Sequence, residues 1–256
     1  MIFQASAVGS IALDLLNKHN HMRVHSIFNN GFNIVNDSSD LIFVGTNKNG
    51  YFPFGITIDK NTMHYAKEYL SVGDTVKNNR RGIDHKDFMI MLNQADIVKY
   101  EKVQPQAVDV DALTAVVNEF DFDKYTDSDF YPRKMREILD SLSDETKPFP
   151  LKYLVGRGSG LTPSGDDMIT GILYVDALSP FVSEKHKKTL SNYLNETVTT
   201  IVSENFIKLA LNGIFSSKIT DLGKEVSKEA VEELLALGSS SGHDTLYGIY
   251  QTLNWR

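Results

Sequence analysis

Arg23-Val24-His25-Ser26-Ile27-Phe28 and Phe32-Asn33-Ile34-Val35-Asn36 are separated by Asn29-Asn30-Gly31. Two runs rich in β-branched and aromatic residues around an Asn-Gly pair predict a β-hairpin, with positive φ at both central turn residues. The arrangement recurs downstream. Residues 41–46 and 51–58 flank Asn47-Lys48-Asn49-Gly50, and residues 88–92 and 97–103 flank Asn93-Gln94. Three such pairs predict an antiparallel sheet or small barrel. A helix over residues 5–18 precedes it, with Val8, Ile11, Ala12, Leu15 and Leu16 on its apolar face. Tyr51, Phe52 and Phe54 face either a partner or the core of this region, and core is the expectation.

Pro105 marks a change of period. Val110, Leu113, Val116 and Val117, then Met135, Ile138, Leu139 and Leu142, recur at helical spacing. Residues 186–212 predict one long amphipathic helix ending at Gly213 as its C-cap, and residues 225–237 another helix before Gly238. The acidic run 121–129 reads as a solvated loop. The expected fold is therefore α+β: a β-rich N-terminal sheet or small barrel over residues 1–105, and a mainly α-helical C-terminal domain over residues 106–256.

Composition narrows the function. With 256 residues, 41% hydrophobic and 23% charged, the chain is an ordinary globular sequence and not a disordered one. Its net charge of -7 does not favour nucleic acid or an anionic membrane. The absence of cysteine excludes disulfides, thiolate zinc sites and a cysteine nucleophile. The first residues lack a basic start, and Asp14 interrupts their apolar stretch, so a signal peptide is not expected. No run approaches the ~20 apolar residues of a membrane span. A cytoplasmic protein is the expectation.

Chemistry concentrates in Gly156-Arg157-Gly158-Ser159-Gly160-Leu161-Thr162-Pro163-Ser164-Gly165-Asp166-Asp167. No Gly-Lys-Ser/Thr closes it as a phosphate-binding loop, and Leu161 stands where a dinucleotide fingerprint needs glycine. What remains is a glycine loop entering a helix. Ser164 reads as an N-cap completed by Asp167 as a capping box, with Thr162-Pro163 as a competing start. Clustered glycines let backbone close on a ligand, helix N–H groups bind anions, and Arg157 offers a guanidinium fork.

Near the end of the chain the design repeats. Ser241-Gly242-His243-Asp244 precedes Gly248-Ile249 as Ser164-Gly165-Asp166-Asp167 precedes Gly171-Ile172. From serine to second glycine is two helical turns, about 10 Å. A glycine inside a helix costs roughly 1 kcal/mol relative to alanine, so close helix approach is the expected reason for both. The two helices are expected to cross near Gly171 and Gly248, bringing both starts to one pocket.

Asp166, Asp167, His243 and Asp244 are the candidate catalytic residues. Arg157, Gly158, Gly160, Thr162, Ser164, Gly165, Ser241 and Gly242 are the candidates for binding a small anionic substrate. Those carboxylates and the imidazole also allow Mg²⁺ or Mn²⁺, although the spacing matches no established metal motif and no metal ligand set is assigned. Thr199 and Ser203, four residues apart, read as hydroxyls bonding back into their own helix.

Residues 158–167, Gly-Ser-Gly-Leu-Thr-Pro-Ser-Gly-Asp-Asp, resemble the signature of the AllH-like family of bacterial proteins. The tail from Ser240 to Gly248 is similar to that family's second Ser-Gly-x-Asp block, and the segment 200–213 to the helix between them. The resemblance is good over residues 150–256 and faint before them. It implies a subunit of an oxamate carbamoyltransferase, acting in anaerobic allantoin breakdown, a branch of purine degradation. Its reaction would be phosphorolysis of oxalurate to oxamate and carbamoyl phosphate, or the reverse. It further implies partner subunits, one similar to a CoA-ligase-like protein, and transfers no catalytic role residue by residue. Two other readings stand beside it: a noncatalytic assembly or ligand-sensing subunit, and a Mg²⁺- or Mn²⁺-dependent hydrolase.

Overall fold

A computed structural model describes residues 1–79 and 81–255. The chain divides into two compact units, Met1–Glu101 and Lys102–Arg256. The α+β class holds: among the described residues, strands occur in the first unit and the long helices in the second.

In the first unit, β1 (Ile2–Gln4), β2 (Ala7–Gly9), α1 (Ser10–Lys18), β3 (His21–Ile27), β4 (Gly31–Val35), β5 (Leu41–Gly45) and β6 (Gly55–Thr57) lead into α2 (Lys60–Tyr69). Four strands follow: β7 (Thr75–Asn79), β8 (Gly82–Asp84), β9 (Met89–Met91) and β10 (Asp96–Val98). Among the described residues these form one sheet in the order β1-β9-β8-β7-β3-β4-β5-β6-β2-β10. β1 and β2 stand towards opposite ends of that order, yet only Ala5 and Ser6 join them. The sheet therefore has to curl until its ends approach, as a partial barrel. Val24, Phe32, Ile34, Ile42, Val44 and Ile56 fill its concave side against Ala12 and Leu16 of α1 and Met63 and Ala66 of α2.

The first hairpin is present, Val24 pairing with Ile34 and Ile27 with Phe32. Its turn is not the expected one. Neither asparagine nor Gly31 has positive φ. Gly31 is glycine because a Cβ there would stand 2.4 Å from the Phe43 ring on the neighbouring strand.

The other two hairpins are corrected, and the sheet is mixed. β5 and β6 run parallel, Val44 beside Ile56. A 3-10 turn at Asn47–Asn49 and Gly50 at φ 78° carry the chain away from β5. The stretch 51–54 is spent on the return, its Phe52 packing edge-on against Phe43 and stacking on Phe54. Phe52 and Phe54 are buried as expected, while Tyr51 is 37% exposed. β9 pairs with β8 and β1, and β10 pairs with β2 at the far edge, so Asn93-Gln94 separates strands that never meet. The expected first helix begins only at Ser10, because Ala7–Gly9 pairs with β6 and β10.

The second unit comprises α3 (Val110–Val117), α4 (Pro132–Leu142), α5 (Ser164–Leu178), α6 (Glu184–Leu194) and α7 (Ile201–Ala210). It continues through α8 (Ser217–Lys224), α9 (Lys228–Leu235) and α10 (Ser241–Trp255). The single helix expected over 186–212 is two. Thr197 adopts φ 57°, and the Thr200 hydroxyl caps α7 by accepting from the Ser203 amide. The helix expected over 225–237 starts three residues later, where Ser227 caps α9 through the Ala230 amide. Gly213 and Gly238 do adopt positive φ, as chain-reversing residues after helices.

α5 and α10 are the axis of this unit. α5 is apolar nearly all round, with Met168, Ile169, Ile172, Leu173, Tyr174 and Val175 buried. The two helices cross at their internal glycines. A Cβ on Gly171 would stand 2.2 Å from the Thr245 carbonyl oxygen, and one on Gly248 would stand 2.3 Å from that of Met168. Each glycine meets the carbonyl three residues before the other, so the crossing is reciprocal.

Candidate functional site

The crossing fixes where the two helix starts lie. Gly165 would carry a Cβ 2.1 Å from the Leu154 carbonyl, and Gly242 one 2.0 Å from that of Leu234. Both Ser-Gly pairs are thus pressed onto the preceding chain. Neither serine is the N-cap that a capping box requires. Ser164 is the first residue of α5, after Pro163, whose carbonyl accepts from the amides of Asp166 and Asp167. Ser241 likewise opens α10, and the Asp244 amide bonds to the Ser240 carbonyl. Backbone carbonyls cap both starts, which releases the acidic side chains.

Asp166, 1% exposed, accepts from the Gly156 amide at 2.8 Å and from the Thr199 hydroxyl. Ser203 lies beside it, and its buried hydroxyl has no aligned partner. Burial raises the Asp166 pKa, opposed by the Thr199, Gly156 and Ser203 donors. Asp167 has fewer donors. Burial pushes its carboxyl well above the usual range; the neighbouring Ser241 and Thr162 hydroxyls oppose this, and the Asp244 and Asp166 charges add to it. Its Oδ2 is buried and unpartnered.

Asp244, 3% exposed, accepts the Tyr125 hydroxyl on Oδ1 at 2.5 Å, and its Oδ2 is likewise buried and unpartnered. His243 is half-buried; burial and the Lys124 charge lower its pKa, against the opposing pull of Asp244. Among the described residues no group of three or more His, Asp or Glu is arranged to hold a metal ion.

The glycine loop is tied across these starts. The Thr162 and Ser241 hydroxyls bond at 2.7 Å, and the Leu161 carbonyl accepts the Thr200 hydroxyl at 2.5 Å. Gly156, Gly158 and Gly160 all have positive φ, a conformation that favours glycine. A Cβ on Gly158 would meet the Ser164 nitrogen at 2.6 Å, whereas around Gly160 there is open space. Arg157 is turned to other partners: its Nε donates to the Tyr153 carbonyl, its guanidinium lies 4.1 Å from the Tyr153 ring centre, and it pairs with Asp129 at 3.2 Å.

Two family models match the chain. One, for the oxamate carbamoyltransferase subunit AllH, matches residues 154–253, and the other, the AllH family N-terminal domain, matches residues 4–97. The chain belongs to the AllH family. The family's designation is that of a carbamoyltransferase subunit, which implies a complex with other such subunits. No solved structure matches the chain. No helix among the described residues is long and apolar enough to cross a membrane.

Within this AllH-family chain, the structure brings Asp166, Asp167, Asp244, Thr162 and Ser241 together and directs Arg157 elsewhere. Sequence reasoning missed two contributors. Thr199 was expected to bond back into a helix; it precedes α7 and reaches Asp166 instead. Tyr125 lies in the acidic run read as a solvated loop, yet it is buried, stacks on Tyr247 at 3.9 Å and holds Asp244. The available signal was Phe122 and Tyr125 within an acidic run bounded by Phe120 and Phe130.

Proposed function

We propose that this chain is the subunit of an oxamate carbamoyltransferase-like complex that binds the small anionic substrate, catalysing oxalurate and phosphate to oxamate and carbamoyl phosphate, or the reverse. The observation that carries the reading is the convergence of two Ser-Gly-x-Asp helix starts, with Asp167 and Asp244 between them, beneath a glycine loop.

In phosphorolysis a phosphate oxygen attacks the carbamoyl carbon of oxalurate. The C–N bond to oxamate breaks, and the departing nitrogen takes a proton. Negative charge develops on the carbonyl oxygen, and N–H donors of the loop and helix starts stabilise it. Gly158, Gly160, Thr162, Ser164, Gly165, Ser241 and Gly242 surround the anion, and Arg157 joins them by exchanging its Asp129 partner for the ligand. Asp167 and Asp244 position the amide, Asp166 holds the glycine loop beside them, and His243, whose pKa is lowered, accepts the proton. The chain works in the cytoplasm with partner subunits, one of them CoA-ligase-like.

A noncatalytic assembly role is the second reading. It is favoured by the ion pair that occupies Arg157 and by the bond from the Gly165 amide to the Arg157 carbonyl, which use donors that an anion would need.

Thermal denaturation of the full chain with phosphate, carbamoyl phosphate, oxamate, oxalurate, Mg²⁺ or Mn²⁺ separates these readings. A ligand at 100 times its Kd stabilises by about 2.7 kcal/mol. Stabilisation by the anions, lost in Arg157→Ala and Ser164→Ala, supports the transferase reading. Stabilisation by metal alone points to a hydrolase. No response to any ligand favours assembly.

A further inference from the structure

The four candidate catalytic residues are not equivalent. Asp166 is committed to the fold by the Gly156 amide and the Thr199 hydroxyl. Asp167 and Asp244 each keep one buried oxygen, Oδ2, with no partner. A buried acceptor without a donor costs about 1–3 kcal/mol, so two at one place require a reason. Asp244 is 3% exposed and its other oxygen accepts the Tyr125 hydroxyl, which fixes the carboxyl and so places Oδ2.

Such a group is poorly suited to an anion. Carboxyl oxygens repel phosphate, so the anionic end of a ligand belongs at the exposed glycine loop, where Gly160 leaves open space. The matching chemistry for the two spare oxygens is an uncharged group that offers N–H donors beside a carbonyl. A neutral carboxylic acid can donate its O–H to that carbonyl while a neighbouring carboxyl oxygen accepts the N–H.

We propose that the Oδ2 atoms of Asp167 and Asp244 recognise the primary amide, –CO–NH2, of a carbamoyl compound. Asp167 donates to the carbonyl oxygen and Asp244 accepts from the amide nitrogen. Burial and the neighbouring Asp244 and Asp166 charges shift Asp167 towards its acid form, the direction this pairing uses, against the Ser241 and Thr162 hydroxyls. The assignment rests on the substrate-binding reading above and adds that the site selects the amide end of its ligand, independently of the anionic end.

Two ligand pairs test it on the full chain by titration calorimetry. Carbamoyl phosphate and acetyl phosphate differ by NH2 against CH3; oxamate and oxalate differ by an amide against a carboxylate. The expected result is that the wild type binds each amide about tenfold or more tightly than its counterpart, since a site built for a donor rejects a ligand lacking it. Asp244→Asn and Tyr125→Phe should reduce that preference to under about threefold, with inorganic phosphate affinity unchanged. Equal binding within both pairs by the wild type overturns the amide assignment while leaving the anion site standing. Retention of the full preference in Asp244→Asn, in protein that melts as the wild type does, also overturns it. Failure of all four ligands and of phosphate to bind overturns both readings.

Discussion

The start of α5 and the start of α10 share their glycines and differ in their polar partners. In each, the first glycine sits against a preceding carbonyl, Leu154 or Leu234, and the second against the other helix. The glycines are thus explained by contact between backbones and would be required in a protein without any activity. The polar positions diverge. Asp166 is matched by His243, and of the corresponding Asp167 and Asp244 only the latter receives a hydrogen bond from tyrosine. What packing dictates is duplicated; what chemistry uses is not.

The largest effect is expected where this duplication is broken. Gly171→Ala places a Cβ 2.2 Å from a backbone carbonyl that cannot move without its helix. It should cost about 3 kcal/mol in urea unfolding, and Gly248→Ala should cost a similar amount. Gly160→Ala, which has open space and only its φ of 91° against it, should cost about 1 kcal/mol. Equal losses at Gly171 and Gly160 would show that the crossing does not govern stability.

A smaller effect is expected at the polar positions. Tyr125→Phe removes the only hydrogen bond to the Asp244 carboxyl among the described residues, leaving both of its oxygens unpartnered. It should destabilise by about 2 kcal/mol, measured by the same unfolding.

The smallest has the opposite sign. Asp167 has a folded pKa raised above its unfolded value, so the folded state holds the proton more tightly. Its contribution is fully present below the unfolded pKa, near 3.9, and is lost as pH rises through the raised folded value. Asp167→Asn should therefore stabilise at pH 8 and give no gain near pH 4, read from urea unfolding at the two pH values. A pH-independent difference would remove the case for a strained carboxyl at this start.

Much of the site was legible beforehand because its signals are local. The repeated Ser-Gly-x-Asp spacing, with a glycine two turns on, announces two helix starts and a close crossing, since a Cβ either fits a helix contact or does not. The capping boxes were misread for a similarly physical reason. Ser-x-x-Asp describes a capping box only if no other group satisfies the helix amides, and here the carbonyls of Pro163 and Ser240 do so. Arg157 could not be placed from its neighbours, because its partner Asp129 lies 28 residues earlier in the chain.

The α+β class, the first hairpin, the glycines of the helix crossing and the resemblance to the AllH family are all written in local residue patterns. These depend on periodicity, turn chemistry and residue size, which act within a few residues. Long-range packing sets the parallel run of β5 and β6, the separation of β9 and β10 towards opposite ends of the curled sheet, and the reach of Tyr125 and Thr199 to the buried carboxyls. Strand pairing and the satisfaction of a buried oxygen depend on which distant segment arrives there, and short-range pattern carries no record of that arrival.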